Sequence, residues 1–337
     1  MKQGRTLSEL AKEVQRQSNA KIDRLYSCEE LNFGLQGGTP VLRMRDCEAK
    51  SLTDTAHKQV GAHLNISTKY YDKMLGIAPQ LLIDNLNYWF KHDPSTHMIR
   101  MLDGRVRAFL SQSYKRIDND IILTAIAPVL GELGELSAKS FELTEKHMYI
   151  KVVTKKLTRE VAPGDIVQSG VCITNSEVGS GGFNAHPLIY RLACANGMVV
   201  EDMRIRAIHR GPRLSAAEDY SIYRPKTILT ENQSIVMKAV DMVRAALDQK
   251  RFDTIVDTMR QKRKIQMNIA QIPEIVENTA KEYQIYEEEK KNILEHLIKD
   301  GDFSLYGLSN AVTRASKNVQ DYDRATKLEA IGWKRCV

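Results

Sequence analysis

The chain has little of what most quickly assigns a sequence. Five cysteines in 337 residues, Cys28, Cys47, Cys172, Cys194 and Cys336, stand at wide spacings with no Cys-x-x-Cys pair. That excludes a disulfide framework and a zinc ribbon, and it fits a reducing compartment. No run approaches the roughly 18 apolar residues of a spanning helix. The N-terminal MKQGRTLSELAKEVQRQ reads as a charged amphipathic helix, without the apolar stretch and small-residue cleavage site of a secretory signal. Internal repeats and low-complexity tracts are missing too. Charge is only mildly one-sided: 49 Lys and Arg against 42 Asp and Glu give +7, which favours polyanions without requiring them. What is present is 42% hydrophobic residues over a length comfortable for two domains, enough for a sizeable core. A soluble cytoplasmic protein is expected.

Three textures divide the chain. Residues 1–96 read as a helical region, with a helix from about Leu7 to Asn19, a turn at Gly37-Gly38-Thr39-Pro40, and further helices over Ala56 to Leu64, Ser67 to Leu75 and Pro79 to Phe90. Residues 97–225 alternate and are rich in Val, Ile, Thr and Tyr. Strands are expected near Met98–Leu102, Val106–Ser111, Ser140–Leu143, Met148–Thr154, Ile166–Asn175, Leu188–Cys194 and Ile205–His209, interrupted by a helix from about Asp118 to Leu133. Residues 226–337 return to helical periodicity, as in Ile235, Val236, Val240, Val243 and Leu247. The fold class predicted is α+β, a mostly antiparallel sheet with a packed helix between helical N-terminal and C-terminal regions.

Several clusters bear on function. Ala56 to Met74 has the rhythm of a helix-turn-helix, with Lys69 and Lys73 outward. Asp72 on the same face favours a simple helical hairpin that buries Leu64, Ile66 and Tyr71. Arg105, Arg107, Lys115 and Arg116 flank RAFLSQSY, and Arg204, Arg206, Arg210 and Arg213 fall within RIRAIHRGPR, which holds no acidic residue. Strand alternation places Arg204, Arg206 and Arg210 on one face, with Ile205, Ala207 and His209 on the other, a row of guanidinium forks that could follow a phosphate backbone, with Tyr114 and Tyr190 as stacking platforms. The competing reading is a solvated face whose arginines pair with Glu201, Asp202 or Glu218.

The stretch VCITNSEVGSGGFNAHPLIYRLACANGMVV, Val171 to Val200, concentrates unusual residues. Gly179-Ser180-Gly181-Gly182 lacks a P-loop lysine. Cys172, Cys194, His186 and His209 match no familiar zinc spacing, and Cys194 sits in an apolar run, so no metal, cofactor or catalytic nucleophile is predicted. The economical reading is two strands and a glycine-containing loop, pinned by a Glu177–Arg191 pair that could alternatively hold a ligand.

Four segments carry a resemblance. RAFLSQSYKRIDN, Gly164-Asp165-Ile166 leading to GVCITNSEVGSGG and YRLACANGMV, YGLSNAVTRAS, and DYDRATKLEAIG resemble, in the same order and over about Arg43 to Gly332, a phage- and plasmid-encoded family known as domain of unknown function 932. The resemblance implies a bacterial cytoplasm and a mobile element, and it supplies no catalytic residues. At the level of architecture alone, an arginine-bearing antiparallel sheet with helices also looks like single-strand annealing recombinases. The first expectation is therefore a non-catalytic DNA-associated protein that binds single-stranded DNA, promotes annealing or recombination, and forms a homo-oligomer. The alternatives are an enzyme acting on a small ligand or nucleic acid around Glu177, His186 and Arg191, and a module that binds a host protein.

Overall fold

The computed structural model describes residues 1–132, 134–201, 206–207 and 225–336. The chain enters through α1 (Leu7–Ala20), closed by a capping box in which the Thr6 hydroxyl accepts from Glu9 N and the Glu9 carboxylate accepts from Thr6 N. Strand β1 (Ile22–Ser27) and a short 3₁₀ turn from Cys28 to Glu30 precede the meander β2 (Asn32–Gln36), β3 (Thr39–Met44) and β4 (Cys47–Ser51). Helices α2 (Asp54–His63), α3 (Thr68–Ile77) and α4 (Pro79–Phe90) follow. A hairpin, β5 (Thr96–Leu102) and β6 (Arg105–Ser111), comes next. β1 pairs antiparallel with β5, so this first sheet, ordered β1-β5-β6, draws on residues from both sides of position 96.

The central sheet begins after α5 (Asn119–Glu132). It runs through β7 (Leu136–Leu143), β8 (Met148–Ala162), β9 (Asp165–Asn175), β10 (Phe183–Arg191) and β11 (Asn196–Val199), in the order β11-β10-β9-β8-β7 with antiparallel neighbours. β12 (Arg206–Ala207) pairs with β10. The remainder is helical: α6 (Pro225–Ala246), α7 (Gln249–Arg263), α8 (Ile272–Tyr283), α9 (Glu287–Asp300), α10 (Leu305–Ala315) and α11 (Tyr322–Cys336). The architecture is α+β, with helical regions flanking antiparallel sheets. The N-terminal region also holds β1 to β4, which its helical texture conceals. None of the helices described is long and apolar enough to cross a membrane.

Strand alternation decides what lies on each face of the central sheet. In MYIKVVT, the side chains of Met148, Ile150 and Val152 join Val171, Ile173 and Ala185 in a core with α1, α5 and α6. Tyr149, Lys151 and Val153 take the opposite face, which α11 partly covers. The helix-turn-helix-like segment is a helical hairpin: α2 and α3 meet at Asn65 (φ 56°), and Ala56, Val60, Tyr71 and Met74 enter the N-terminal core. Lys69, Asp72 and Lys73 are exposed.

Candidate functional site

On the α11 side of the central sheet, two polar rows cross three strands. Strand register aligns Tyr149 with Thr174 and Thr174 with Asn184, and it aligns Lys151 with Cys172 and Cys172 with His186. Residues opposite one another share a face, so a run of polar side chains stands where an apolar layer would close the sheet on its helix. The result is a cleft of about 500 Å³, lined by both rows except Lys151, together with His147, Ser180, Gly181, Val199, Glu201 and Thr326, Lys327 and Ala330 of α11. β12 brings the backbone of Arg206 beside Asn184.

One wall of the cleft is a carboxylate-held imidazole. His147 Nδ1 lies 3.0 Å from Asp323 Oδ1, which also accepts from the Tyr149 hydroxyl at 2.7 Å and, at 3.2 Å, from Thr144 Oγ1. A carboxylate can only accept, so the imidazole proton is fixed on Nδ1 and the Nε2 lone pair is freed. Nε2 faces the glycine loop: a Cβ on Gly181 would meet it at 3.5 Å. Burial alone would raise the Asp323 carboxyl, but the hydrogen bonds from His147 and Tyr149 hold it below the ordinary value. Burial pushes the Cys172 thiol up to about 12, so it is a poor thiolate. Under the cleft, Lys151 and Glu329 are both fully buried and meet at 2.7 Å, with Thr326 Oγ1 taking a second ammonium proton. Burial opposes the Lys151 charge, and Glu329 outweighs it, keeping the ammonium above its usual range.

The residues singled out in the sequence are distributed differently from expectation. Glu177 and Arg191 do not pair. Glu177 is buried against Arg107, accepts from Asn119 N at 2.7 Å, and lies 3.7 Å from Lys21 Nζ. Arg191 binds Asp165 at 2.5 Å and lies over the Tyr306 ring. The reason is direction: Glu177 follows β9 at the end facing the first sheet, whereas Arg191 closes β10 at the opposite end. Neither lines the cleft; His186 does. Arg107 is thus buried in an ion pair, unlike a side chain reaching for phosphate. Arg105 and Arg116 are exposed, Arg116 within 3.6 Å of Asp23, and Lys115 is half-buried. Tyr114 packs beside Leu110 and Val178 and donates its hydroxyl to Ser176 O at 3.0 Å, while Tyr190 packs against a buried cluster holding Leu188 and Val199. Arg204, Arg210, Arg213 and His209 lie outside the described residues, as does the side chain of Arg206.

Around Glu177 the charges form a closed set. Fully buried Arg100 holds Asp23 through two bonds of 2.9 Å, Asp118 at 2.7 Å and the Glu177 carbonyl at 2.8 Å, and Lys21 reaches Asp118 at 2.8 Å. Burial would raise the Asp118 carboxyl, yet Arg100 and Lys21 hold it below its usual range. This network joins the first sheet to the loop between β9 and β10. Its cations are occupied.

A second cluster sits in the N-terminal core. Cys28 Sγ lies 3.5 Å from His97 Nδ1 and 4.0 Å from His63 Nε2, and His63 Nε2 is 2.5 Å from Asp93 Oδ2. The Cys28 amide donates to Ser95 O at 2.9 Å, and Ser95 N donates to Asp93 Oδ1 at 2.9 Å, which fixes the loop that carries the carboxylate. His97 stacks on Phe109 with ring centres 4.2 Å apart.

Residues 108–331, about two thirds of the chain, match the model of the family described as a domain of unknown function, DUF932. The chain belongs to the DUF932 family. The DUF932 segment begins later than the resemblance read from Arg43, and it contains every cleft residue, including His147 and Asp323, whereas Cys28, His63 and His97 precede it. No curated protein and no solved structure matches the chain. Within the DUF932 segment, the sequence held two signals for the cleft that are easily passed over. Tyr149 and Lys151 put polar side chains at alternate positions of an otherwise apolar strand, and Asp323, Thr326, Lys327 and Ala330 repeat at i, i+3, i+4 and i+7, one helix face.

Proposed function

We propose that the chain binds a small anionic molecule in the cleft between the central sheet and α11, with His147 serving as a proton acceptor oriented by Asp323. The observation that carries this reading is the imidazole whose Nδ1 is held by a carboxylate while its Nε2 faces a polar space of about 500 Å³. That is the geometry of a general base, and the volume falls in the usual range for small-molecule sites. Lys327 at the rim offers a charge for a phosphate or carboxylate. Glu201 is engaged by Lys334 at 2.8 Å, which reduces its repulsion of an anion. Asn184, Thr174 and Ser180 supply hydrogen bonds for orientation. High-pKa Cys172 is unsuited to attack, so the chemistry favoured is proton transfer or activation of water, without a covalent intermediate.

A thermal-shift screen of the full chain against nucleoside phosphates, inorganic phosphate and dicarboxylates tests this. At about 100 times Kd a specific ligand adds about 2.7 kcal/mol of stability. A saturable rise in Tm that disappears in Lys327→Glu supports the reading; no rise with any member of the panel opposes it.

Single-strand DNA binding is the second reading, favoured by the net charge of +7, by the exposure of Arg105 and Arg116, and by a stretch of sequence from Arg204 to Arg213 that holds no acidic residue. It predicts affinity for a labelled oligonucleotide that falls steeply with salt. Weakening in Arg204→Ala and Arg206→Ala supports it, and salt-insensitive or undetectable binding at low ionic strength counts against it.

A further inference from the structure

We propose that Cys28, His63 and His97, with Asp93 as fourth donor, bind one divalent cation of the zinc class in the N-terminal part of the chain, outside the family-matched segment. The three ring and sulfur donors lie within 4.8 Å of one another. In a tetrahedral zinc site with Zn–S of about 2.3 Å and Zn–N of about 2.0–2.1 Å, sulfur and nitrogen stand about 3.6 Å apart. The 3.5 Å and 4.0 Å separations of Cys28 Sγ from the two nitrogens are therefore near those of a loaded site.

The donors come from four places fixed independently of any ion: the turn after β1, the C-terminal end of α2, the loop before β5, and the start of β5. Hydrogen bonds through Ser95 tie Cys28 and the Asp93 loop together. The Phe90 ring lies 6.0 Å from the His63 ring and the Phe109 ring 4.2 Å from that of His97, so apolar walls shield the site. His63 and Asp93 are only half-buried and give an entry side. Hydrogen bonding accounts for His63 and Asp93 but poorly for the sulfur, because one S–H cannot serve two imidazoles and a hydroxyl at 3.5 to 4.0 Å.

Charge balances as well. A thiolate and a carboxylate together neutralise a dication, and two neutral imidazoles complete a mixed sulfur, nitrogen and oxygen set suited to zinc more than to magnesium or calcium. Loading sends the thiol proton to solvent and moves the His63 ring proton from Nε2 to Nδ1, after which Asp93 turns from that nitrogen to the ion.

The test is uptake of zinc and cobalt by the full chain in a thiol-free, reduced state. Elemental analysis after gel filtration should find one zinc per chain. Cobalt should give the visible bands of a tetrahedral ion together with a near-ultraviolet thiolate charge-transfer band. Both are lost in Cys28→Ser and His97→Gln and kept in Cys47→Ser and Cys194→Ser, while Asp93→Asn weakens zinc on the order of 10–100-fold. A folded wild-type chain that takes up neither metal overturns the proposal whatever the variants do. So does a Cys28→Ser chain that keeps the metal and the charge-transfer band. Neither result bears on the cleft, which shares none of these residues.

Discussion

Glu177 illustrates how residue identity and residue role part company. Its carboxylate lies among Arg107, Lys21 and the Asn119 amide, so its removal leaves buried cations without a counter-charge. Glu177→Ala should lower unfolding free energy by about 3–5 kcal/mol, read as a fall in the urea midpoint. Wild-type stability in that variant would contradict the network. Lys151 and Glu329 offer a sharper version, because both are fully buried. Lys151→Met and Glu329→Leu should each destabilise by about 3–5 kcal/mol, while the double variant costs much less than their sum, since two apolar side chains restore a matched interior. Strict additivity in a double-mutant cycle would show that the pair is not coupled. The sequence suggested a charge-assisted pair for Glu177 and Arg191, but with one another. Their actual partners were not legible, because Arg107 lies 70 residues from Glu177 and no local pattern encodes that distance.

At the scale of elements, alternation and turn chemistry located β5, β6, β9, α5 and the start of β8 to within a few residues. The second half of β8, which runs on to Ala162 through the polar, more exposed Lys155 to Glu160, was not read as strand. β1 escaped because its pattern is inverted: in IDRLYS, Ile22 and Leu25 are exposed while Asp23 turns inward to Arg100. Buried charge therefore hides a strand from hydrophobic periodicity. β10 was placed late for a related reason, as Asn184 and His186 interrupt its apolar run to face the cleft. The docking of α11 on α10 rests on a close approach at Gly332, where a Cβ would meet Thr313 Cγ2 at 2.2 Å and Ser309 O at 3.0 Å. Gly332→Ala should force the helices apart and cost about 1–3 kcal/mol despite the better helix propensity of alanine. A variant as stable as wild type in thermal melts would show that the two helices can shift without cost.

For the whole molecule, the fold class followed from the succession of textures, whereas the cleft did not, because it exists only where three strands and a distant helix converge. The same convergence links stability to pH. Asp118 and Asp323 have native pKa values below their ordinary ones, so each contributes stability that is complete above about pH 4–5 and is lost as pH falls through the native value. Urea midpoints measured from pH 6 down to pH 3 should decline, less steeply in Asp323→Asn than in wild type; a flat profile would remove both carboxylates from the account. The central claim concerns His147, and histidine-specific acylation mapped by mass spectrometry tests it most directly. With the anionic compound that raises Tm in the screen present at saturation, His147 and His186 should be protected while exposed His92 reacts as before. Unchanged reactivity of His147 at saturating compound would place the ligand elsewhere and contradict the proposed site.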